Sequence, residues 1–257
     1  MICAMFTNNI SPVLLEIGPI EIRYYGLFFA LGAVIYYFVT RGIFKREKLP
    51  TKDFEDLIVF LFVGLIIGAR FGHIVFYNFA YYFEHPMQVF KVWQGGLSSH
   101  GAAIGLLTAY LIFRFWRNPD KKCVDMIVIA MPITAGFVRL GNFFNSEIIG
   151  RETDLPWGVV FARNGESFAR HPSQLYEMIL LWGIFAVMFF LYKRRERPTY
   201  FFVMFFVLFY FAGRFFLEFF KEYMVFGEGL TMGQWLSLGF VSVTGLTVLA
   251  KRFRIAP

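Results

Sequence analysis

The sequence predicts an all-α membrane protein: one polytopic bundle of seven transmembrane helices, with the N-terminus outside and the C-terminus in the cytoplasm. Three observations predict it. Of the 257 residues, 58% are hydrophobic and only 17% are charged, with 36 Phe. The apolar residues fall in blocks of about 20, the length that crosses a bilayer core as a helix. The basic residues lie between those blocks and concentrate in every second interval, which is a topological signal.

The blocks place spans at about 18–40, 55–77, 95–116, 124–144, 173–192, 199–219 and 232–250. The intervals 41–53, 114–122, 193–197 and 251–254 hold sixteen Lys and Arg, against five across 1–16, 78–93, 145–171 and 220–230. By the positive-inside rule the first set is cytoplasmic and the second lies outside. The spans absorb the whole length, so 1–257 reads as a single integral-membrane domain, with 145–171, which carries Trp157 and mixed charge, as a small extracytoplasmic cap. A net charge of +7 would suggest nucleic acid in a soluble protein. Here it serves topology and contact with anionic membrane lipids, and no nucleic-acid partner is expected. The first positive charge is Arg23, so the basic start of a cleaved signal is missing and the first block reads as a retained helix. Cys3 outside and Cys123 at a cytoplasmic helix start are a membrane thickness apart, which excludes a disulfide between them.

Four arginines, Arg23, Arg70, Arg139 and Arg214, interrupt stretches otherwise apolar enough for lipid. A guanidinium near the bilayer centre costs about 2.5–3.5 kcal/mol on insertion scales, so such residues face a protein interior or a wet cavity. They suggest an anion site, and the anion at hand in a membrane is a phosphate head group, which Arg matches with a planar fork of donors.

In the first block, Tyr24 and Tyr25 beside Arg23 read either as an interfacial belt or as part of that site. In the second, Arg70, His73 and Tyr77 share one face, as a snorkelling Arg with aromatics or as a phosphate contact. The third opens on small residues around His100, from Gly95 to Gly105. A helix N-terminus favours an anion, and His100 either exchanges protons or bonds a backbone carbonyl. In the fourth, Pro132 is expected to bend or loosen the helix before Arg139. Arg139 and Asn142 then stand one turn apart, followed by Glu147 and Gly150-Arg151. Arg can hold a phosphate bidentately, Asn can orient its ester oxygens, and Glu147 can lock the Arg or contact a hydroxyl; the same groups can also cap the helix. The fifth opens with His171-Pro172-Ser173-Gln174-Leu175-Tyr176-Glu177, whose polar side chains cap or catalyse. The sixth carries Tyr210, Arg214 and Glu218 on one face, either as an ion pair or as a cavity wall. The seventh is apolar.

Other chemistries are absent. There is no HExxH, cysteine cluster or Walker loop, and no lysine in mid-span for a retinal Schiff base. No metal or cofactor is expected. An anion or lipid transporter also needs arginines in a wet cavity, but the polar motifs gather toward one face rather than at a midplane. A receptor or structural bundle is the third reading.

With Tyr25-Gly26, His100-Gly101, Arg139-Leu140-Gly141-Asn142-Phe143 through Glu147-Ile148-Ile149-Gly150-Arg151, His171 to Glu177, and Gly213-Arg214 through Glu218, the chain resembles the bacterial prolipoprotein diacylglyceryl transferases over nearly its full length. The resemblance implies a seven-helix inner-membrane enzyme that moves diacylglycerol from phosphatidylglycerol to the lipobox cysteine of a preprolipoprotein signal peptide, forming a thioether and glycerol 1-phosphate. It implies catalytic roles for Tyr25, His100, Arg139, Arg214 and Glu218. Substrate contacts would be Arg139, Asn142, Glu147, Gly150 and Tyr210, with Arg70, Gln174 and Gly101 beside them. Two departures stand out. The family's His-Gly-Gly-Leu-Ile-Gly reads His100-Gly101-Ala102-Ala103-Ile104-Gly105, and Ser146 replaces the usual Gly before Glu147. The thiolate is the nucleophile, and arginines aimed at the leaving phosphate would lower the barrier. His100 is then either the thiol base or a head-group contact. The peptide arrives laterally, so the bundle needs an opening toward lipid.

Overall fold

The computed structural model describes residues 6–18, 20–91, 96, 98–194, 197–222 and 229–253. Cys3 lies outside them, and His100 is described by its backbone alone. Strands β1 (Phe6–Asn8), β2 (Val13–Ile17) and β3 (Ile20–Arg23) precede helix α1 (Tyr24–Arg46). Then come α2 (Thr51–Tyr77), the short α3 (Phe79–Glu84), α4 (Ser99–Arg117) and α5 (Lys122–Phe144). Strands β4 (Val159–Phe161) and β5 (Ala169–Arg170) lead into α6 (Ser173–Arg194), α7 (Phe201–Leu217), a 3₁₀ turn at Glu218–Phe220, and α8 (Met232–Phe253). Among the described residues, five helices, Tyr24–Arg46, Thr51–Tyr77, Lys122–Phe144, Ser173–Arg194 and Phe201–Phe220, are long and apolar enough to cross a membrane.

Two sequence expectations change. The first block does not begin a helix at 18. Gly18 turns at φ +58°, β2 and β3 pair antiparallel from Ile17↔Ile20 outward, and the helix starts at Tyr24. The alternation Ile20-Glu21-Ile22-Arg23 has the period of a strand, so Arg23 ends that strand in an exposed position and donates to Glu21 at 2.7 Å. It lies one residue before the candidate span Tyr24–Arg46 rather than within it. The loop 145–171 also contains β4 and β5, and with β1 they form a sheet in the order β1-β4-β5, the first pair parallel. The fold is therefore mostly helical with two small sheets rather than purely α.

The chain divides into two compact units, Met1–Gly42 with Val124–Pro257, and Ile43–Cys123. In the first, α5 is continuous through Pro132. Thr134 donates to the carbonyl of Gly32 at 3.0 Å, joining α5 to α1. Asp125 accepts the backbone N–H groups of Tyr200 and Val203, a remote carboxylate serving the first amides of α7, which lie at the positive end of that helix. Phe143, Val159 and Phe161 form a buried cluster with Phe144, Ile149 and Leu175 against it. Asn8, fully buried, anchors β1 there by donating to the Phe143 carbonyl at 2.8 Å.

In the second unit, small residues repeat every fourth position on two helices, Gly64, Gly68 and Gly72 on α2 and Gly101, Gly105 and Ala109 on α4. That spacing keeps them on one face and lets backbones touch. A Cβ at Gly68 would lie 2.5 Å from the Gly101 carbonyl oxygen, and one at Gly72 would lie 2.5 Å from the Gly101 Cα. Ser98 caps α4 by accepting from the Gly101 amide at 3.2 Å.

Candidate active site

The first unit gathers most of the singled-out residues at the end of α5 and the starts and ends of its neighbours. Arg139 projects from the last turns of α5, and its Nη1 donates to Asn142 Oδ1 at 3.2 Å. Asn142 Nδ2 donates in turn to Glu147 at 3.1 Å, and Asn145 donates to the other Glu147 oxygen at 2.9 Å. The turn that brings Glu147 back runs through Ser146 and Ile148, both at φ +56°. This is the left-handed region, which glycine enters freely and other residues at a cost of about 1–2 kcal/mol. A Gly before the glutamate is thus the relaxed choice and Ser146 a strained one. Two residues of α6 hold the turn. Ser173 donates to the Ile148 carbonyl at 2.6 Å, and the buried Gln174 donates to the Glu147 carbonyl.

Glu147 does not lock Arg139 directly. The carboxylate on Arg139 is Glu177, one turn beyond Gln174, which contacts Arg139 Nε through one oxygen. Its other oxygen meets Arg214 Nη1 at 3.2 Å and the ammonium of Lys221. Glu177 and Lys221 are almost fully buried, whereas the Arg139 and Arg214 side chains are 20% and 23% exposed. The two guanidiniums therefore lie over a buried ion pair. Glu177 falls within a motif quoted above but was not singled out, and Lys221 drew no attention in the sequence. Burial lowers the Lys221 pKa and the neighbouring Glu177 raises it, the net direction being downward.

The Arg214–Glu218 ladder forms loosely, at 4.0 Å. Glu218 is buried, 3.9 Å from Lys221 and hydrogen-bonded by Thr231 Oγ1 at 3.0 Å. Thr231 and Gln234 complete a capping box at the start of α8: Gln234 N–H donates to Thr231 Oγ1 at 3.2 Å and Thr231 N–H to Gln234 Oε1 at 2.9 Å. The Glu218 carboxylate thus sits at the positive end of α8. The aromatic contacts of Tyr210 are a parallel stack on Phe206 at 5.3 Å and an edge contact with Phe211. Tyr25 packs on Gly141, where a Cβ would reach its ring at 2.8 Å.

Gly150 has a packing role. Its N–H donates to the His171 carbonyl at 2.9 Å, and a Cβ there would lie 2.5 Å from the His171 and Phe220 carbonyl oxygens. Arg151 binds the Phe220 carbonyl through its N–H at 2.8 Å and the Lys221 carbonyl through Nε at 2.9 Å. Arg170 adds ion pairs to Glu166 at 2.7 Å and Glu222 at 2.6 Å, which raise its pKa. These contacts fasten the segment 150–170 to the end of α7 beside Lys221.

His171 shares its Nδ1 with the Tyr176 hydroxyl at 3.1 Å, and Trp157 donates to that hydroxyl at 2.9 Å. Burial lowers the His171 pKa, so folding favours the neutral ring. The associated stability is complete above the ordinary value near 6.5 and is lost as pH falls through the lower folded value. The melting temperature is expected to drop modestly between pH 7.5 and pH 5, and by less in His171→Asn; equal drops would overturn this assignment.

Arg70, His100 and Gly101 belong to the second unit. Arg70 is buried and its donors reach the carbonyls of Val89 at 2.9 Å, Gly96 at 3.2 Å and Gln88, while its guanidinium lies 5.0 Å from the Tyr82 ring centroid. That is a clamp on the carbonyls of Gln88, Val89, Lys91 and Gly96. His100 stands in the first turn of α4, and Gly101 is the close-contact glycine described above. The described residues contain no cluster of His, Cys, Asp and Glu suited to a metal ion.

A family model described as prolipoprotein diacylglyceryl transferase matches residues 12–250. Proteins named phosphatidylglycerol–prolipoprotein diacylglyceryl transferase are similar throughout. That of Tolumonas auensis is 39% identical over 240 residues, covering 91% of this chain and 92% of its own. That of Bacteroides fragilis is 41% identical over 253 residues, 91% of each chain. That of Geobacter sulfurreducens is 38% identical over 260 residues, 97% of this chain and 98% of its own. With several helices apolar enough to span a bilayer, a match across nearly its whole length and two arginines converging on one buried carboxylate, the chain belongs to the prolipoprotein diacylglyceryl transferase family, as a multi-pass membrane protein.

Proposed function

We propose that this protein transfers the diacylglyceryl group of phosphatidylglycerol to the lipobox cysteine of a preprolipoprotein signal peptide, in the bacterial inner membrane and from its extracytoplasmic side. The observation that carries the site is the convergence of Arg139 and Arg214, from different helices, on Glu177, with 20% and 23% of the two arginine side chains exposed. A phosphodiester seated there meets two planar donor forks in a setting where charges act strongly.

The substrate cysteine loses its proton and its thiolate attacks C3 of the diacylglyceryl moiety. The C3–O bond to phosphorus breaks as the C–S bond forms, and glycerol 1-phosphate leaves with the electron pair. Arg139 and Arg214 stabilise the charge that grows on the departing phosphate. Asn142, oriented by Glu147, presents its amide to the ester, and Tyr25, Tyr210, Gln174, Gly150 and Glu218 complete the pocket or hold its walls. His100 serves as thiol base or head-group contact, with Arg70 and Gly101 supporting its unit. No metal or cofactor enters the reaction.

The reading extends to topology. Seven spans, α4 and α8 included, form one domain over 1–257 with 145–171 as its outer cap. The N-terminus lies outside and the basic loops face anionic lipid in the cytoplasm. Nucleic acid has no role.

The test is to incubate the purified protein with phosphatidylglycerol and a lipobox-cysteine peptide and weigh the peptide. A gain of one diacylglyceryl mass, absent with a Ser-for-Cys peptide, is the expected result. No gain from folded, lipid-replete protein would sink the assignment.

A further inference from the structure

Glu177 and Lys221 take no part in the transfer chemistry above, yet they lie deeper than the arginines. Glu177 is 1% exposed and Lys221 2%. A carboxylate placed under two guanidiniums cancels much of the field that would hold a phosphate. Lys221 contacts the same oxygen, Oε1, that Arg214 uses, while Arg139 takes Oε2. A second carboxylate beside these cations, Glu218, is 3.9 Å from Lys221 and 4.0 Å from Arg214. Its charge is already met by Thr231 and the N-terminus of α8. Glu147 reaches Arg139 only through the Asn142 amide.

We propose that Glu177 and Lys221 form a floor pair of no net charge beneath the phosphate site. Glu177 is a positioning residue that fixes the separation of the two guanidiniums by giving each one oxygen. Lys221 offsets the carboxylate, so the arginines keep their positive field for the ligand. The cap contributes by fixing the Lys221 backbone through Arg151 and Gly150. The inference rests on the phosphate-ester reading of the site.

The two partners should act oppositely on anion affinity, which separates this role from a structural one. Purified full-length wild type, Glu177→Gln and Lys221→Met would be compared for kcat, KM for phosphatidylglycerol, and inhibition by glycerol phosphate and inorganic phosphate. In Glu177→Gln the floor becomes positive. Inhibition should tighten about tenfold, while kcat falls because the guanidiniums lose their common anchor. In Lys221→Met the floor becomes negative, and inhibition should weaken by a similar factor. Shifts of the same sign, or none, overturn the proposal. Should Glu177→Gln fail to fold, Glu177→Asp keeps the charge and shortens the reach: kcat falls with phosphate inhibition unchanged, and a change in inhibition overturns the proposal. If the wild type shows no transfer, the functional reading fails first, and phosphate titration calorimetry on the same proteins still reads the opposite signs.

Discussion

Arg139→Lys is expected to lower diacylglyceryl transfer by about a hundredfold or more, the range seen when one preorganised donor is removed from a site where charge develops. The charge is kept, so the loss isolates geometry. Arg139 uses Nε for Glu177 and Nη1 for Asn142, 3.2 Å away, on a side chain 20% exposed. A lysine ammonium offers three donors around one point on a flexible stem and cannot serve both partners and a phosphate in one geometry. Asn142 then loses its orienting neighbour, and the chain Arg139–Asn142–Glu147 breaks at its first link. The fold should survive, because Glu177 keeps Lys221 and Arg214. The check is turnover by peptide mass together with the melting temperature in detergent. Transfer within threefold of wild type would remove Arg139 from the phosphate site.

The second large effect is on assembly. Gly105→Leu should abolish the folded protein or lower its melting temperature by many degrees, because a Cβ at Gly105 meets the backbone of Gly64 and would sit 2.7 Å from the Gly68 Cα. Overpacking against side chains typically costs about 1–3 kcal/mol. Here the opposing atoms are backbone, which cannot change rotamer, so the helices must separate. That would also break the bond from the Ser98 N–H to the Ala69 carbonyl, 2.9 Å, which ties the start of α4 to α2. Gly183→Ala on α6, where no atom lies within 4 Å of the added Cβ, is the control and should be neutral or slightly stabilising. Size-exclusion profiles of fluorescent fusions read both, and a normal profile for Gly105→Leu would refute the close contact.

What the sequence exposes and conceals follows from distance along the chain. Pairs one or two turns apart were legible: Arg139 with Asn142 became a hydrogen bond, and Arg214 with Glu218 a long ion pair. Partners from different helices were not legible. Glu177 joins Arg139, Arg214 and Lys221 from three other places, and nothing local marks a lysine just past an apolar helix as buried. β1 was invisible for the same reason, since Phe6 pairs with Val159 across most of the chain. The start of α1 was missed because hydrophobicity was read without its period. Ser146 was noticed only as a departure from the family pattern, and its left-handed φ supplies the reason the pattern prefers glycine.

The sharing of one carboxylate also governs how mutational energies in this region combine. When one of the three cations is removed, the remaining two can close on the vacated oxygen, so the stability lost by any single variant understates what that residue contributes in company. Removing two should cost more than the sum of the single losses, and the excess, read from a double-mutant cycle, belongs to no residue alone.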